Sequence, residues 1–409
     1  MTKLEEVKLG DVCDLIAGFA FKSKDFGDYP DKVIKITNIE PPFVNMTDLS
    51  GVDLSKYNKQ KLEKFMAKKD DYVLAMTGAT IGKLGRICEG KAYINQRVLM
   101  FKPTQTDKKF LYYVLADYNF TQYVLNHIDS ESAQANISAT TIGKYALSLP
   151  PLEIQKKIAG VLGALDDKIE LNNKINNNLE QQAQALFKSW FVDFEPFGGT
   201  MPEDWQIKTL KEVVNFSQGV QVPVQKQITE LIDGYEQFIR IVDLTQNNSD
   251  IRFIENVDKG KVTYDDIFMI RYGTPGILGR NYKGIIANNL FKIEPINNII
   301  SKNYIYNFLN SDFIQNYIKQ NAVSSTMPAI NFSTLYGQEL IIPDAKTLTD
   351  YTKIDESMRK QMLQIKFENE RLTQLRDVLL PKLMSGEIDV SNVDISALTS
   401  TDKLSFTED

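Results

Sequence analysis

A glycine-rich segment is the first place in this 409-residue chain where residue types and spacing could carry chemistry. Gly78-Ala79-Thr80-Ile81-Gly82-Lys83 has the glycines and the lysine of a loop that cradles a nucleotide's phosphates. Three residues separate the glycines where such a loop needs four, and Leu84 stands where Ser or Thr would hold magnesium. The counterpart in the second half, Gly273-Thr274-Pro275-Gly276, has no lysine after it. A glycine turn between two strands is therefore favoured.

A second candidate is Glu40-Pro41-Pro42-Phe43, which resembles the catalytic Asn-Pro-Pro-Phe tetrapeptide of DNA adenine methyltransferases. In those enzymes the first residue accepts a hydrogen bond from the adenine amino group, and glutamate is one methylene too long for that placement. No glycine-rich strand-to-helix turn for S-adenosylmethionine precedes the tetrapeptide, so a polyproline turn ending a strand is favoured. The sole histidine, His127, has no serine or cysteine context that marks a nucleophile, and we expect a solvent-facing or core side chain.

The remaining candidates are basic, amide and hydroxyl side chains interleaved with glycine in both halves of the chain. Arginine pairs with guanine and Asn or Gln with adenine in the major groove of DNA, while lysine and hydroxyl groups bind phosphates. This chemistry predicts DNA reading, with ordinary polar loops as the alternative for each residue. The candidates are Thr77, Lys83, Arg86, Asn95, Gln96 and Arg97 in the first half, and Arg271, Tyr272, Thr274, Arg280, Asn281, Asn288 and Asn289 in the second.

Composition limits the other classes of function. The chain is 43% hydrophobic and 24% charged, as in globular proteins, and its length indicates two or three domains. No run of about 18 apolar residues occurs and the N-terminal residues lack a signal-peptide core, so we expect a cytoplasmic protein without membrane contact. Cys13 and Cys88 cannot form a disulfide framework or a four-cysteine zinc site, and a single histidine excludes every paired-histidine metal site.

The net charge of −6 argues against a protein that coats nucleic acid through bulk charge. Residues 1–150 hold 20 Lys and Arg against 18 Asp and Glu, and residues 196–343 hold 13 against 15. Much of the acidity therefore lies outside these two segments, in the regions predicted below to be helices and tail.

An internal repeat covers most of the chain. Ile137 matches Ile330, and Pro150 matches Pro343, at a constant offset of 193. Two similar globular domains are predicted, at residues 1–150 and 196–343, joined by a long helix at 151–195 and followed by a second at 344–385 and an acidic, flexible tail at 386–409. In each domain short β-branched runs alternate with glycine turns and an aromatic helix, which indicates an α+β fold. The runs are Lys32–Ile39, Asp71–Met76, Phe238–Leu244 and Asp266–Arg271, and the helices are Lys108–Tyr118 and Lys302–Leu309.

Apolar residues in both long segments recur at alternating spacings of three and four, as in coiled coils. Helices of some 40 residues would be about 60 Å long, and each needs a partner for its narrow apolar stripe. We predict an antiparallel pair with an approximate two-fold axis. The pairing positions are Leu165, Ile169, Asn176, Leu179 and Leu186 in the first helix and Met358, Met362, Asn369, Leu372 and Leu379 in the second, with Ile354 and Leu375 extending the second stripe.

Three asparagines near the helix centres have two interpretations. Asn172, Asn176 and Asn369 either fix the register where the helices cross, or face water where the stripe drifts away from the contact.

The helical segments carry a family resemblance. The stretches Pro150-Pro151-Leu152-Glu153-Ile154-Gln155-Lys156-Lys157-Ile158-Ala159, Leu165-Asp166-Asp167-Lys168-Ile169 and Gln184-Ala185-Leu186-Phe187-Lys188-Ser189-Trp190-Phe191-Val192-Asp193-Phe194 resemble the central region of the specificity (S) subunits of type I restriction-modification systems. Leu379-Leu380-Pro381-Lys382-Leu383-Met384-Ser385-Gly386-Glu387-Ile388 resembles the family's other hallmark. Together with the repeat, the resemblance covers essentially the whole chain. The second helix departs from it, since Pro343-Asp344-Ala345-Lys346 replaces the Pro-Leu-x-x-Gln entry of the first.

The resemblance implies two target-recognition domains, each reading half of a split sequence in double-stranded DNA, with the helices as a ruler. It implies a non-catalytic chain without a cofactor of its own. Its partners would be two methyltransferase (M) subunits, which hold S-adenosylmethionine and flip adenines, and two restriction (R) subunits, which use ATP and Mg²⁺. The reading domains vary in this family, so no base-contacting residue follows from it.

Two functions of other classes are the alternatives. One is a self-sufficient DNA methyltransferase or NTPase built around Glu40–Phe43 or Gly78–Lys83. The other is a structural coiled-coil adaptor whose globular ends bind protein.

Overall fold

The computed structural model describes residues 5–129, 135–245, 250–296, 300–322 and 328–395. The chain divides into two units, unit 1 (Met1–Glu170 with Glu370–Asp409) and unit 2 (Leu171–Asn369). Within the described ranges, no helix has an apolar stretch long enough to cross a membrane.

Unit 1 is built from twelve strands and five short helices among its described residues, followed by a long helix. The strands are β1 Glu5–Lys8, β2 Cys13–Ala17, β3 Phe26–Ile34, β4 Ile39–Glu40, β5 Phe43–Val44, β6 Ser50–Val52, β7 Met66–Lys68, β8 Tyr72–Ala75, β9 Leu84–Arg86, β10 Lys91–Ile94, β11 Val98–Pro103 and β12 Ala146–Leu149. The helices are α1 Leu9–Val12, α2 Lys59–Leu62, α3 Lys108–Ala116, α4 Tyr118–Asn126, α5 Ala139–Gly143 and α6 Leu152–Phe191. The strands form sheets with the orders β2-β11-β8-β9-β5-β4, β6-β3-β10-β7 and β1-β12.

Strand β8 and residues 98–101 of β11 are buried on both faces because all their side chains are apolar or aromatic. Successive side chains in a strand point to opposite faces. Leu74 and Phe101 pack with α3 and α4 on one side, while Val73 and Met100 pack in a second cluster on the other. The sheet therefore forms the middle layer of unit 1.

Unit 2 repeats this architecture. Its strands are β13 Gln206–Thr209, β14 Val214–Gln218, β15 Tyr235–Ile239, β16 Phe253–Glu255, β17 Lys261–Val262, β18 Ile267–Ile270, β19 Leu278–Gly279, β20 Gly284–Ile286, β21 Leu290–Pro295 and β22 Glu339–Ile342. Its helices are α7 Leu210–Val213, α8 Ile241–Thr245, α9 Lys302–Leu309, α10 Asp312–Asn321, α11 Phe332–Tyr336 and the long α12 Ala345–Met384. The sheets have the orders β14-β21-β18-β19, β16-β15-β20-β17 and β13-β22. The α+β class with two similar globular domains and two long helices is confirmed.

Local details differ from the sequence-based prediction. The strand predicted at Phe238–Leu244 ends at Ile239, and Ile241–Thr245 forms the helix α8. Asp243 terminates the strand because its carboxylate accepts the backbone N–H of Arg240 at 2.7 Å, as in a helix cap. The helix α12 runs through Pro381 to Met384, within the range 344–385 predicted for it.

The long helices α6 and α12 contain 40 residues each and run antiparallel within both units. In unit 1, Arg376 Nη1 lies 2.9 Å from Asp166 Oδ1. In unit 2, Asn172 Nδ2 donates to Asn369 Oδ1 at 2.8 Å, and the ring of Phe187 packs against that of Tyr351.

The helix-pairing positions are not equally buried. Leu179 and Met362 are buried, and the other eight predicted positions are half-buried. Ile354 and Leu375 are 45% and 47% exposed, so their assignment to the stripe is wrong. Tyr351 and Asp355 occupy the buried side of α12 instead, because the aromatic core of unit 2 and Asn307 of α9 contact that side.

The central asparagines fix contacts between the helices. Asn172 is 1% exposed and donates to both Asn369 and Glu368. The Oδ1 atom of Asn176 is buried without a hydrogen-bond partner among the described residues. The interpretation that the asparagines face water is therefore wrong for Asn172.

Part of the segment predicted to be a flexible tail, residues 386–395, packs in unit 1. Val390 is 3% exposed and packs with Leu383 in the core of unit 1. Ile395 contacts Gly160 of α6, and Lys157 Nζ donates to the carbonyl of Ser391. Apolar residues in this otherwise acidic stretch thus bury against α6, while residues 396–409 lie outside the described ranges.

Candidate nucleic-acid interface

One end of the central sheet of unit 1 collects five of the six DNA-reading residues predicted in the first half of the chain. The loop that joins β8 to β9 and the turn that joins β10 to β11 lie side by side, since Ala75 of β8 pairs with Val98 of β11. The N–H of Met76 donates to the carbonyl of Arg97 at 2.9 Å. Antiparallel pairing therefore brings together a set that is split in the sequence, namely Thr77, Lys83, Asn95, Gln96 and Arg97.

The members of this set differ in exposure. Lys83, Gln96 and Arg97 are exposed. Asn95 is half-buried, and its Oδ1 accepts the N–H of Gln96 at 2.6 Å. Thr77 is 2% exposed, and its Oγ1 has no hydrogen-bond partner in the described part of the chain. Two cations and one amide are thus the groups of this set most accessible to a ligand.

Unit 2 repeats the arrangement with other side chains. The N–H of Arg271 donates to the carbonyl of Asn289 at 2.9 Å, which is the bond that Met76 makes with Arg97. Ile330 N–H donates to Arg271 as Ile137 N–H does to Met76. The same backbone frame therefore holds a second loop and turn, with Arg271, Tyr272, Thr274, Asn288 and Asn289.

Some of the hydrogen-bond donors of the Arg271 side chain already have partners within this frame. Its Nη2 donates to Asn331 Oδ1 at 3.0 Å and its Nε to the carbonyl of Ile330 at 3.3 Å. The guanidinium also lies over the rings of Tyr272 and Phe332, 4.8 and 5.4 Å from their centroids. These contacts fix the orientation of a half-buried cation beside the loop.

Arg86 lies at the opposite end of the same strands, because it pairs with Tyr72 at the start of β8. Its Nη2 lies 3.0 Å from Glu170 Oε2 of α6, and its guanidinium lies 5.6 Å from the ring of Phe43. The structure therefore separates Arg86 from Lys83 and the loop.

Arg280 and Asn281 occupy the matching position in unit 2. The Arg280 side chain is 8% exposed, forms an ion pair with Glu180 of α6 and lies 4.0 Å from the ring centroid of Tyr306. Asn281 has a positive φ of 63°, and its backbone carbonyl accepts a hydrogen bond from Lys366 of α12. These two residues contact the long helices, not the loop.

A buried carboxylate at the start of each central strand was missed by the sequence prediction. Asp71 forms ion pairs with Lys102 and Lys108, and in unit 2 Asp266 does so with Lys292 and Lys302. Burial alone would raise the pKa of both carboxyls, but hydrogen bonds from these lysines and from backbone N–H groups lower it below the ordinary value. The repeat offset of 195 between the two aspartates is the signal that could have identified them.

The glycine-rich segment is a turn between β8 and β9, as the sequence favoured. Three of its N–H groups already donate to backbone carbonyls: Gly78 to Ala135, Ile81 to Gly78 and Gly82 to Ala75. A strand follows the segment, where a phosphate-binding loop opens a helix. Its amides are therefore not arranged to bind phosphates.

The other two sites proposed for catalysis are also explained structurally. Glu40 ends β4, Phe43 begins β5, and the two prolines form the turn between these paired strands. Glu40 Oε1 accepts Asn45 Nδ2 at 3.2 Å. His127 is exposed, stacks on Tyr123 with ring centroids 4.1 Å apart and bonds through Nδ1 to the carbonyl of Tyr123 at 2.8 Å.

The sequence family described as the type I restriction modification DNA specificity domain matches residues 1–181 and again residues 202–374. The chain belongs to this family. The predicted resemblance is thereby confirmed, and each matched segment contains one loop and turn of the pair described above. The chain thus carries two DNA specificity domains of the type I restriction-modification class.

Named relatives agree with this assignment. The chain is 25% identical to the specificity subunit of the type I restriction enzyme MjaIX of Methanocaldococcus jannaschii, with 70% of each chain covered. It is 28% identical to the specificity subunit of the enzyme HindI of Haemophilus influenzae, with 68% of this chain and 77% of the relative covered. The crystal structure of an S subunit from M. genitalium superposes with a TM-score of 0.53 at 17% identity, covering 94% of this chain and 96% of the other, which supports the fold.

Proposed function

We propose that the chain is the sequence-reading subunit of a type I restriction-modification complex, and that each unit reads one half of a bipartite target in double-stranded DNA. One observation supports this most strongly: the same backbone frame of loop and turn occurs in both units and carries a different set of polar side chains in each. A repeated frame with altered side chains suits two readers of different sequences. Half-sites on one face of DNA would lie about 34 Å apart, one helical turn.

The proposed readers combine base and phosphate contacts. In unit 1, Arg97 and Gln96 are exposed on the turn and suit guanine and adenine respectively, while Lys83 suits a phosphate. In unit 2, Asn288 and Thr274 lie on the corresponding turn and loop. In this proposal these contacts determine which DNA sequence is recognised, and the long helices α6 and α12 set the spacing between the two half-sites.

Catalysis would belong to partner subunits. In this proposal two methyltransferase subunits bind S-adenosylmethionine and methylate adenine, and two restriction subunits use ATP and Mg²⁺ to translocate and cleave DNA. The chain itself would bind no cofactor. Exposed aliphatic side chains on the helices suit protein docking: Leu171 and Ile175 are 42% and 39% exposed, and Leu375 and Val378 are 47% and 58% exposed.

Methylation mapping tests the proposal directly. A strain that expresses this chain with its methyltransferase partner should gain one bipartite N6-methyladenine motif throughout its genome. A strain with the partner alone should gain none. If the assembled complex is recovered and no new methylated motif appears, the proposal is refuted.

A further inference from the structure

The segment that follows β14 lies directly against the turn between β20 and β21. This turn carries Asn288 and Asn289, two of the predicted reading residues, and is the reading turn of unit 2. After β14 the chain passes so close to Ile286 and Ala287 that a Cβ atom at Gly219 would collide with their carbonyl oxygens. Val220 N–H donates to Ile286 at 3.0 Å. Only glycine permits this approach, so the residues that follow it are held beside the turn.

The amide side chains of Asn288 and Gln221 meet where the segment touches the turn. Gln218 Nε2 donates to the carbonyl of Asn288 at 2.7 Å, and Asn288 Nδ2 donates to Gln221 Oε1 at 3.4 Å. Gln221 is exposed. Its Nε2 donor and the Oδ1 acceptor of Asn288 have no other hydrogen-bond partner among the residues that the structure describes. One donor beside one acceptor complements N7 and N6 of adenine in the major groove.

Unit 1 has the same close approach with different chemistry. A Cβ atom at Gly18 would collide with the carbonyl oxygens of Ile94 and Asn95, and Gly18 N–H donates to Val98 at 2.9 Å. Two residues after this glycine, the position of Gln221 is taken by Ala20, which is exposed and has no side-chain donor or acceptor, so unit 1 has no amide there.

We propose that Gln221, acting with Asn288, is a specificity-determining residue that reads an adenine in the half-site of unit 2. The inference rests on the proposed function and extends the reading surface beyond the loops that the sequence predicted. In unit 2 the segment and the turn together form one reading platform.

The experiment uses the full chain assembled with its methyltransferase partner, titrated against the mapped target and all its single-base variants. Gln221→Ala should reduce discrimination about tenfold at one A·T pair in the half-site of unit 2, with the other positions unchanged. Gln221→Glu removes the donor at constant size, so preference for adenine at the same position should also fall. Gln206→Ala, a matched change at an exposed glutamine of β13, should leave every position unchanged.

Wild-type discrimination at every position in Gln221→Ala would overturn the reading role, and so would an equal loss at all positions. A wild-type complex that methylates no bipartite motif would instead refute the proposed function, so the two failures are distinguishable.

Discussion

The guanidinium of Arg280 forms an ion pair with the carboxylate of Glu180 on α6, and the arginine side chain is only 8% exposed. Arg86, the repeat equivalent of Arg280, forms a more exposed pair with Glu170, with side chains 27% and 33% exposed. Both arginines attach the end of a central sheet to α6. The glutamates are not equivalent in the repeat, since an offset of 194 would place the second at position 364, in α12.

This difference in burial predicts different stabilities. Arg280→Ala should lower the free energy of unfolding by about 3 kcal/mol, because it leaves the partly buried carboxylate of Glu180 without its cationic partner. Arg86→Ala should cost about 1 kcal/mol or less, since solvent screens the exposed pair. Denaturant unfolding of the two purified variants measures both values. Equal losses would contradict the assignment of Arg280 as a buried tether.

In unit 1, Arg97 should control sequence specificity, whereas Lys83 should control overall affinity for DNA. Arg97→Ala should relax one base position in the half-site of unit 1, at a cost of about 1–3 kcal/mol for the cognate base. Lys83→Ala should weaken binding to all DNA sequences alike. Titration of the assembled complex against single-base variants distinguishes the two effects, and identical profiles for both variants would contradict it.

Exchange of a whole domain tests which unit reads which half-site. If residues 1–150 are replaced by the corresponding domain of another family member, only one half of the methylated motif should change. The other half and the spacer should stay, because unit 2 and its helix segments are untouched. A change in both halves of the mapped motif would show that the units do not read independently.

The hydrogen bond between Asn172 and Asn369 should affect both the stability of the protein and the register of the two long helices. Asn172→Ala should lower the free energy of unfolding by about 1–3 kcal/mol, because the amide of Asn369 loses a buried partner. Replacing both asparagines by leucine should recover stability and allow methylated motifs with altered spacing, since the polar contact that fixes the register is gone. Asn177→Leu, on the exposed side of α6, is the control, and unchanged spacing in the double variant would exclude the register role.

Asp355 predicts a pH-dependent stability. Burial raises the pKa of its carboxyl above the ordinary value, although the hydrogen bond from Asn307 lowers it in part. The folded state therefore binds the proton more tightly than the unfolded state, and stability falls as pH rises from the ordinary pKa through the raised one. Asp355→Asn should raise the melting temperature at neutral pH and match the wild type at acidic pH. A benefit independent of pH would contradict this origin.

Several features followed from the sequence because their signals are local or periodic. The offset of 193 revealed the duplication, and the three-and-four spacing predicted both long helices. The limits of this approach appear at Ile354 and Leu375, which fit the apolar period yet are exposed. The period identifies a face of a helix, whereas burial depends on whether another element covers that face.

The candidate site was only partly predictable for a similar reason. Arg97 and Arg280 have the same side chain, and the sequence analysis assigned both to DNA reading on residue type. Strand pairing placed the first at a solvent-exposed turn and the second against α6, at the other end of the corresponding strands. Gln221 had no signal at all, because only the approach of Gly219 to Ile286 places it beside the reading turn.

By itself the sequence determined the duplicated α+β domains, the two long helices and the family, since composition, periodicity and motif spacing are properties of neighbouring residues. The tertiary structure alone decided which polar side chains meet at the reading turns, which are bound to the helices, and that residues 386–395 pack on α6. Those outcomes depend on strand register and burial between residues far apart in the chain, and no local pattern specifies them.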